Sequence, residues 1–260
     1  MKPGLHPGLS LPAKGAGGAP LVLLHGFLGA PDAWQAVLAA LPQHGPVWCP
    51  WLPGHGPAAA GPADWAAAVQ ELAAALPAGA VLAGYSMGAR LALGAALQPG
   101  TALLGTLLIG GHVGLATAAE RTERAAQDAT RANALRSQPL ERFVDAWETM
   151  PLFATQRTLP EAAQARQRAV RLAHDAHALA WSFDAAGLAQ MPDLRPAVAA
   201  AQQALHWLTG ALDTRFTALA ASLVRPPWVT HRVVAGAGHN LLLEAPADVA
   251  ASLAACMEKA

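Results

Sequence analysis

The sequence predicts an α/β protein: a mostly parallel, doubly wound sheet interrupted by one inserted helical segment. Three observations carry this. Short runs that are apolar on both faces recur along the chain, as strands of a helix-covered parallel sheet do. Helical segments separate them, and that alternation defines the class. The rhythm stops between about His112 and Ala200, a helical stretch that holds most of the arginines and shows no clear strand.

The expected strands are Pro20–Leu24, Pro46–Pro50, Ala80–Gly84, Thr106–Gly110, Ala204–Gly210 and Thr230–Val234. Helices are expected at Asp64–Leu76 and Ala89–Leu97, among others. The expected division is a core of residues 1–111 and 201–260, with a helical cap of 112–200 inserted after the strand that ends at Gly110. Substrate would bind between cap and sheet, beyond the C-terminal ends of the strands.

Composition narrows the function classes. With 260 residues, 53% apolar and only 13% charged, the chain can bury a full core. Lys+Arg and Asp+Glu balance at 17 each, so no global field draws nucleic acid or an acidic membrane. Met1-Lys2-Pro3-Gly4 opens a Gly- and Pro-rich stretch without an apolar h-region, so no secretory leader is expected. No apolar run resembles a membrane span of about 20 residues. Cys49 and Cys256 make neither a disulfide framework nor a zinc site, and are expected to be small buried apolar residues. His174 and His177 share a helix face at i, i+3, but they read as a solvated polar face rather than a metal site. The expectation is a cytoplasmic enzyme for a small molecule, monomeric or weakly self-associating, with no membrane or nucleic-acid partner.

The chemistry centres on Gly84-Tyr85-Ser86-Met87-Gly88, a G-x-S-x-G with a strand before it and a helix after it. A sharp strand-to-helix turn strains the serine backbone, and side chains two positions either side would clash. Ser86 Oγ would then stand at a helix N-terminus, where the dipole favours negative charge. A serine hydroxyl needs a partner to take its proton. His239, in Gly236-Ala237-Gly238-His239-Asn240 after the last strand, is that partner. Asp213, just beyond the preceding strand, can orient the imidazole and stabilise its protonated form. Asp248 and Glu244 are rival acids, but both look helical or too close to the histidine. His25-Gly26-Phe27 follows the first apolar strand, so backbone N–H groups of Phe27 and Met87 would form an oxyanion hole, with His25 structural. These separated motifs, in the order Ser, Asp, His, specify the α/β-hydrolase fold. They also argue against a non-enzymatic binding module.

From Pro20 onward the chain resembles the 2-succinyl-6-hydroxy-2,4-cyclohexadiene-1-carboxylate synthase (MenH) family. The resemblance rests on Leu24-His25-Gly26-Phe27, on Gly84 to Arg90, and on Gly110-Gly111-His112-Val113-Gly114-Leu115. It continues through Glu120-Arg121-Thr122-Glu123-Arg124 with Asp128, and Trp147 before Pro151-Leu152-Phe153-Ala154. Pro192-Asp193-Leu194-Arg195, Gly210 to Phe216, and Gly238-His239-Asn240 complete it. The cap motifs are the specific ones. The resemblance implies a lyase that eliminates pyruvate from a succinyl cyclohexene carboxylate bearing an enolpyruvyl ether. Ser86, relayed through His239, would act as a base, and no metal or organic cofactor would be needed. The alternative is a carboxylesterase or C–C bond hydrolase with Ser86 as nucleophile.

A polycarboxylate substrate calls for guanidinium partners. Arg90 lies one helical turn after Ser86. By its match to the family motif, Arg124 should descend from the first cap helix. The third arginine falls on Arg171 when spacing is counted back from Pro192-Asp193-Leu194-Arg195, and on Arg168 when counted forward from Trp147. Tyr85 and Trp147 would line the pocket. Three positions depart from the family pattern: Ala89 replaces a usual glycine, Val113 a usual proline, and Leu242 stands where a polar residue is common.

Overall fold

The computed structural model describes residues 6–15, 18–57 and 61–258. The stretch Met1–Gly4, where no secretory leader is expected, lies outside the described residues. Among them, one seven-stranded sheet runs in the order β1-β3-β2-β4-β5-β6-β7. Its strands are β1 (His6–Leu11), β2 (Leu21–Leu24), β3 (Val47–Trp51), β4 (Ala80–Tyr85), β5 (Leu103–Ile109), β6 (Leu205–Gly210) and β7 (Val229–Val234). All pairings are parallel except β1 on β3. β1 is absent from the sequence reading. Its Pro7 and Gly8 weaken any strand signal, and an edge strand tolerates both.

Period-two alternation sends side chains to two cores. Val22, Leu24, Leu82, Leu108 and Trp207 pack against α2 (Trp65–Ala75) and α3 (Met87–Ala96). Leu21, Leu23, Val81, Ala83, Leu107 and Leu208 pack on the opposite side. There they meet α1 (Gln35–Ala40) and α11 (Pro246–Met257), with α10 (Leu241–Glu244) between. Cys49 and Cys256 are buried in this second layer, as small apolar residues would be.

Between β5 and β6 the chain is helical. The segment runs through α4 (Ala118–Ser137), α5 (Leu140–Glu148), a 3-10 stretch Pro151–Thr158, α6 (Glu161–Leu172), α7 (Ala176–Asp184) and α8 (Arg195–Ala200). α9 (Thr214–Ala221) then follows β6. Local chemistry sets these starts. Thr117 and Glu120 form a reciprocal capping box at α4, and the Asp175 carboxylate accepts from Ala178 N–H at 2.7 Å at α7. α4 and α7 pack together around Ala132, Leu135, Leu179 and Phe183, with Leu28 from below. No helix among the described residues is long and apolar enough to cross a membrane.

The turn at Ser86 sets the tightest packing. A Cβ at Gly88 would sit 2.3 Å from the His25 carbonyl oxygen, and one at Gly84 would sit 2.3 Å from the Gly88 carbonyl. Neither neighbour is a flexible side-chain end, so backbone must move. Gly88→Ala is expected to destabilise the protein by about 2 kcal/mol or more, measured as a lowered urea midpoint with an unchanged slope.

Candidate active site

Ser86 joins the end of β4 to the start of α3 with φ 52° and ψ −108°, a conformation L side chains rarely adopt. It has the first-turn amides of α3 beneath it, and the early amides of a helix lack intrahelical acceptors. His239 Nε2 lies 3.1 Å from Ser86 Oγ, and its Nδ1–H donates to Asp213 Oδ2 at 2.6 Å. With Nδ1 carrying the proton, Nε2 is free to accept from the serine hydroxyl. Asp213 also caps α9, accepting from Phe216 N–H through its other oxygen. The Phe216 ring stands 4.7 Å from the imidazole, and both His239 and Asp213 are buried. Gly110, at φ 57°, makes room for the ring: a Cβ there would meet His239 Cε1 at 2.8 Å.

The rival acids do other work. Glu244 accepts from Gly238 N–H at 2.6 Å and Asn240 N–H at 3.2 Å, bracing the loop that carries His239. Asp248 pairs with Arg232 at the sheet edge, 2.5 Å away.

The loop after β2 is held by neutral histidines. Leu28, at φ 58°, donates its N–H to His55 Nε2 at 3.1 Å, and Leu52 donates to His25 Nε2 at 3.1 Å. Burial pulls the His25 pKa down to about 3 and the His55 pKa well below its ordinary range. His174 completes the group, its ring 5.2 Å from His55, accepting from Gly56 N–H at 3.0 Å. This corrects the sequence reading of a solvated His174–His177 face, because only His177 is exposed. Among the described residues no group of three or more His, Cys, Asp or Glu is arranged to hold a metal ion.

Two cavities meet at Ser86, sharing Phe27, Trp147 and Phe153 as their common wall. The larger, about 490 Å³, is lined by Arg90, Arg124, Arg131, Arg215, Met87 and His239 together with Ser86. Asp213 is the sole acid among its described lining residues. Arg90 donates to the Ala186 carbonyl at 2.7 Å and lies over the Trp65 ring. Burial first, and the nearby Arg124 charge second, pull its pKa down to about 9. The smaller cavity, about 210 Å³, is lined by Tyr85, Arg171, Arg166 and Leu242. Burial pushes the Tyr85 phenol far above its usual range, opposed by the Arg171 charge.

Of the two arginines left open by spacing, Arg171 is buried and reaches the smaller cavity, held by Glu148 at 2.8 Å. Arg168 pairs with Asp145 and Glu148 on the outside and lines neither cavity that touches Ser86. Thus Arg90 and Arg124 share one cavity with Ser86, and Arg171 shares the other. Arg131 and Ser182 were missed by the sequence reading. Arg131 stands seven residues after Arg124 on α4, a spacing that repeats a helix face and could have pointed to it.

A half-buried serine whose hydroxyl meets a carboxylate-held imidazole at the turn before a helix defines a triad enzyme of the α/β-hydrolase class. Residues 21–252 match the model of the alpha/beta hydrolase family. The chain is 38% identical over 239 residues to the 2-succinyl-6-hydroxy-2,4-cyclohexadiene-1-carboxylate synthase of Enterobacter sp., covering 90% of each. It is 37% identical over 242 residues to that of Escherichia fergusonii, covering 90% of this chain and 92% of the relative. The structure of MenH from S. aureus superposes with a TM-score of 0.89 at 26% identity, covering 95% of this chain and 96% of that one. A malate-bound thermophilic esterase from Thermogutta terrifontis gives 0.73 at 25% identity, with 92% and 89% covered. This chain belongs to the alpha/beta hydrolase family and, within it, to the 2-succinyl-6-hydroxy-2,4-cyclohexadiene-1-carboxylate synthase family.

The histidine contacts carry a pH consequence. His25 and His55 resist protonation when folded but titrate near 6.5 when unfolded, so the unfolded state binds more protons below that pH. Stability present above pH 6.5 is therefore lost as the pH falls from 6.5 towards 3, by up to about 1.4 kcal/mol per histidine per unit. Urea unfolding at pH 7.5, 6.5, 5.8 and 5.0 is expected to show the loss starting above the carboxylate range. His55→Gln should make the slope shallower.

Proposed function

We propose that this chain eliminates pyruvate from 2-succinyl-5-enolpyruvyl-6-hydroxy-3-cyclohexene-1-carboxylate to give 2-succinyl-6-hydroxy-2,4-cyclohexadiene-1-carboxylate, a step of menaquinone biosynthesis. The observation that carries the reading is the gathering of arginines around Ser86 with so little negative charge among them. A neutral ester gives no reason for it. A polycarboxylate does.

The chemistry follows from the substrate. The ring carbon bearing the succinyl ketone has an acidified hydrogen. His239 takes the proton of Ser86, and Ser86 Oγ then removes that ring hydrogen. The electron pair enters the ring, the existing double bond shifts by one position, and the distal C–O bond to the enolpyruvyl group breaks. The departing enolpyruvate receives the imidazolium proton at carbon and becomes pyruvate. While the charge is in transit it rests on the ketone oxygen, facing the N–H groups of Phe27 and Met87. Asp213 keeps the imidazole in the required tautomer. Arg90, Arg124 and Arg171 bind carboxylates, with Tyr85 and Trp147 as walls. In this reading residues 112–200 form a cap over a core of 1–111 and 201–260, and the enzyme works in the cytoplasm.

The same triad could serve a serine hydrolase, and the esterase likeness fits the fold. Pyruvate release from the authentic substrate, coupled to lactate dehydrogenase, separates the two. Wild-type protein is expected to release one pyruvate per substrate. Ser86→Ala should lower kcat by about a thousandfold or more. Arg90→Ala and Arg124→Ala should each lower kcat/KM by about ten- to a hundredfold. Ester hydrolysis without pyruvate release would sink the lyase reading.

A further inference from the structure

One side of α4 faces the larger cavity with more positive charge than the assigned arginines need. Arg124, Gln127 and Arg131 line it at i, i+3 and i+7, with Asp128 behind them. Asp128 Oδ1 accepts from Arg124 Nε at 2.7 Å and from Arg131 Nη1 at 3.2 Å. A single buried carboxylate thus serves two guanidinium groups, and about one positive charge is left unneutralised. Its other oxygen, Oδ2, has no hydrogen-bond partner among the described residues. Burial and the Arg124 charge both lower the Arg131 pKa, the mark of an under-compensated cation.

Across the cavity, α7 presents Ser182 and Phe183. The guanidinium of Arg131 lies 6.0 Å from the Phe183 ring centroid. Ser182 is 2% exposed, lines the cavity, and its Oγ lacks a hydrogen-bond partner among the described residues. A buried hydroxyl without a partner is unfavourable, and an anion bound beside it would satisfy it. Arg131 lies seven residues beyond Arg124, about 10 Å further along the helix at 1.5 Å per residue. Arg131 therefore lines a different part of the cavity wall from Arg124.

We propose that Arg131 and Ser182 form a distal carboxylate subsite, which selects substrates whose acyl side chain ends in a carboxylate. The ligand's identity rests on the lyase reading, in which the succinyl chain is that side chain. The subsite itself rests on the cavity. Fixing the far end of the substrate there would orient the ring over Ser86, and a shortened or uncharged chain would lose that anchor.

The test uses the intact protein with 4-oxo-4-phenylbutanoate, a ring carrying the same keto-acid chain, against its terminal carboxamide, by titration calorimetry. Wild type is expected to bind the acid at least about tenfold more tightly than the amide. Arg131→Gln should bring the ratio to within about twofold of unity. Arg131→Lys should keep part of the preference, because it retains the charge but not the planar fork. Ser182→Ala should lower it about threefold or more. Equal binding of acid and amide to wild type, or an undiminished preference in Arg131→Gln, would overturn the subsite. Circular dichroism shows whether Arg131→Gln folds, and the wild-type comparison stands without it. Failure of pyruvate release alongside a preference lost in Arg131→Gln would overturn the lyase reading and leave the subsite standing.

Discussion

The close approach of α3 to the end of β2 is the constraint on which the rest of the site depends. Gly88 lies against the Leu24 and His25 carbonyls with no space for a methyl group. That contact lets the chain turn at Ser86 through a left-handed backbone conformation and enter a helix at once. The turn lifts the hydroxyl above the sheet and aligns the early amides of α3 beneath it. It also brings Phe27 and Met87 to the same cavity wall. The point around which the site is arranged is held by that packing and by the Ser86 N–H, which donates to the Ile109 carbonyl at 2.8 Å.

Around that point, charge is distributed unevenly. The cationic groups come from four helices: α3 supplies Arg90, α4 supplies Arg124 and Arg131, α6 supplies Arg166 and Arg171, and α9 supplies Arg215. Their protein partners are few and shared. Asp128 serves two arginines and Glu148 serves Arg168 and Arg171. Shared acids orient the guanidinium groups without fully neutralising them. An anionic ligand therefore meets donors already in position, which reduces the ordering cost of binding. Ser86 lies where the two cationic lobes meet, so a substrate with carboxylates at separate ends would span the reacting centre.

Much of this was legible in the residues. Strands β2 to β6 read from apolar runs because they are largely buried on both faces, β7 read from its apolar ends although its middle is exposed, and the triad read from loops that directly follow strands. β1 did not, since Pro7 and Gly8 mask a strand that only needs to pair along one edge. Arg168 and Arg171 could not be told apart by spacing. They lie three apart on α6 and share a face, so only the docking of α6 against Gln156 and Phe153 buries one and leaves the other outside. Arg131 and Ser182 belong to different helices, and no local pattern reports that α4 and α7 face one cavity. His174 misled for a related reason, since its polarity suggested solvent while its acceptor nitrogen was needed inside.

That His174 contact joins the helical insertion to the loop carrying His55, and through it to the strained Leu28 amide. A Cβ at Gly54 would meet the Ala178 carbonyl at 2.5 Å, so α7 rests directly on the same loop. Pulling the insertion away at this corner would break the Gly56–His174 hydrogen bond, at a cost of about 1 kcal/mol. Away from that corner, Leu212 lines the cavity and is 59% exposed, and Leu152 lines the same space. The two sides of the cavity are mechanically unequal: one is riveted by neutral imidazoles, the other closed only by side chains in contact with water. Traffic between solvent and Ser86 should run through the side without rivets.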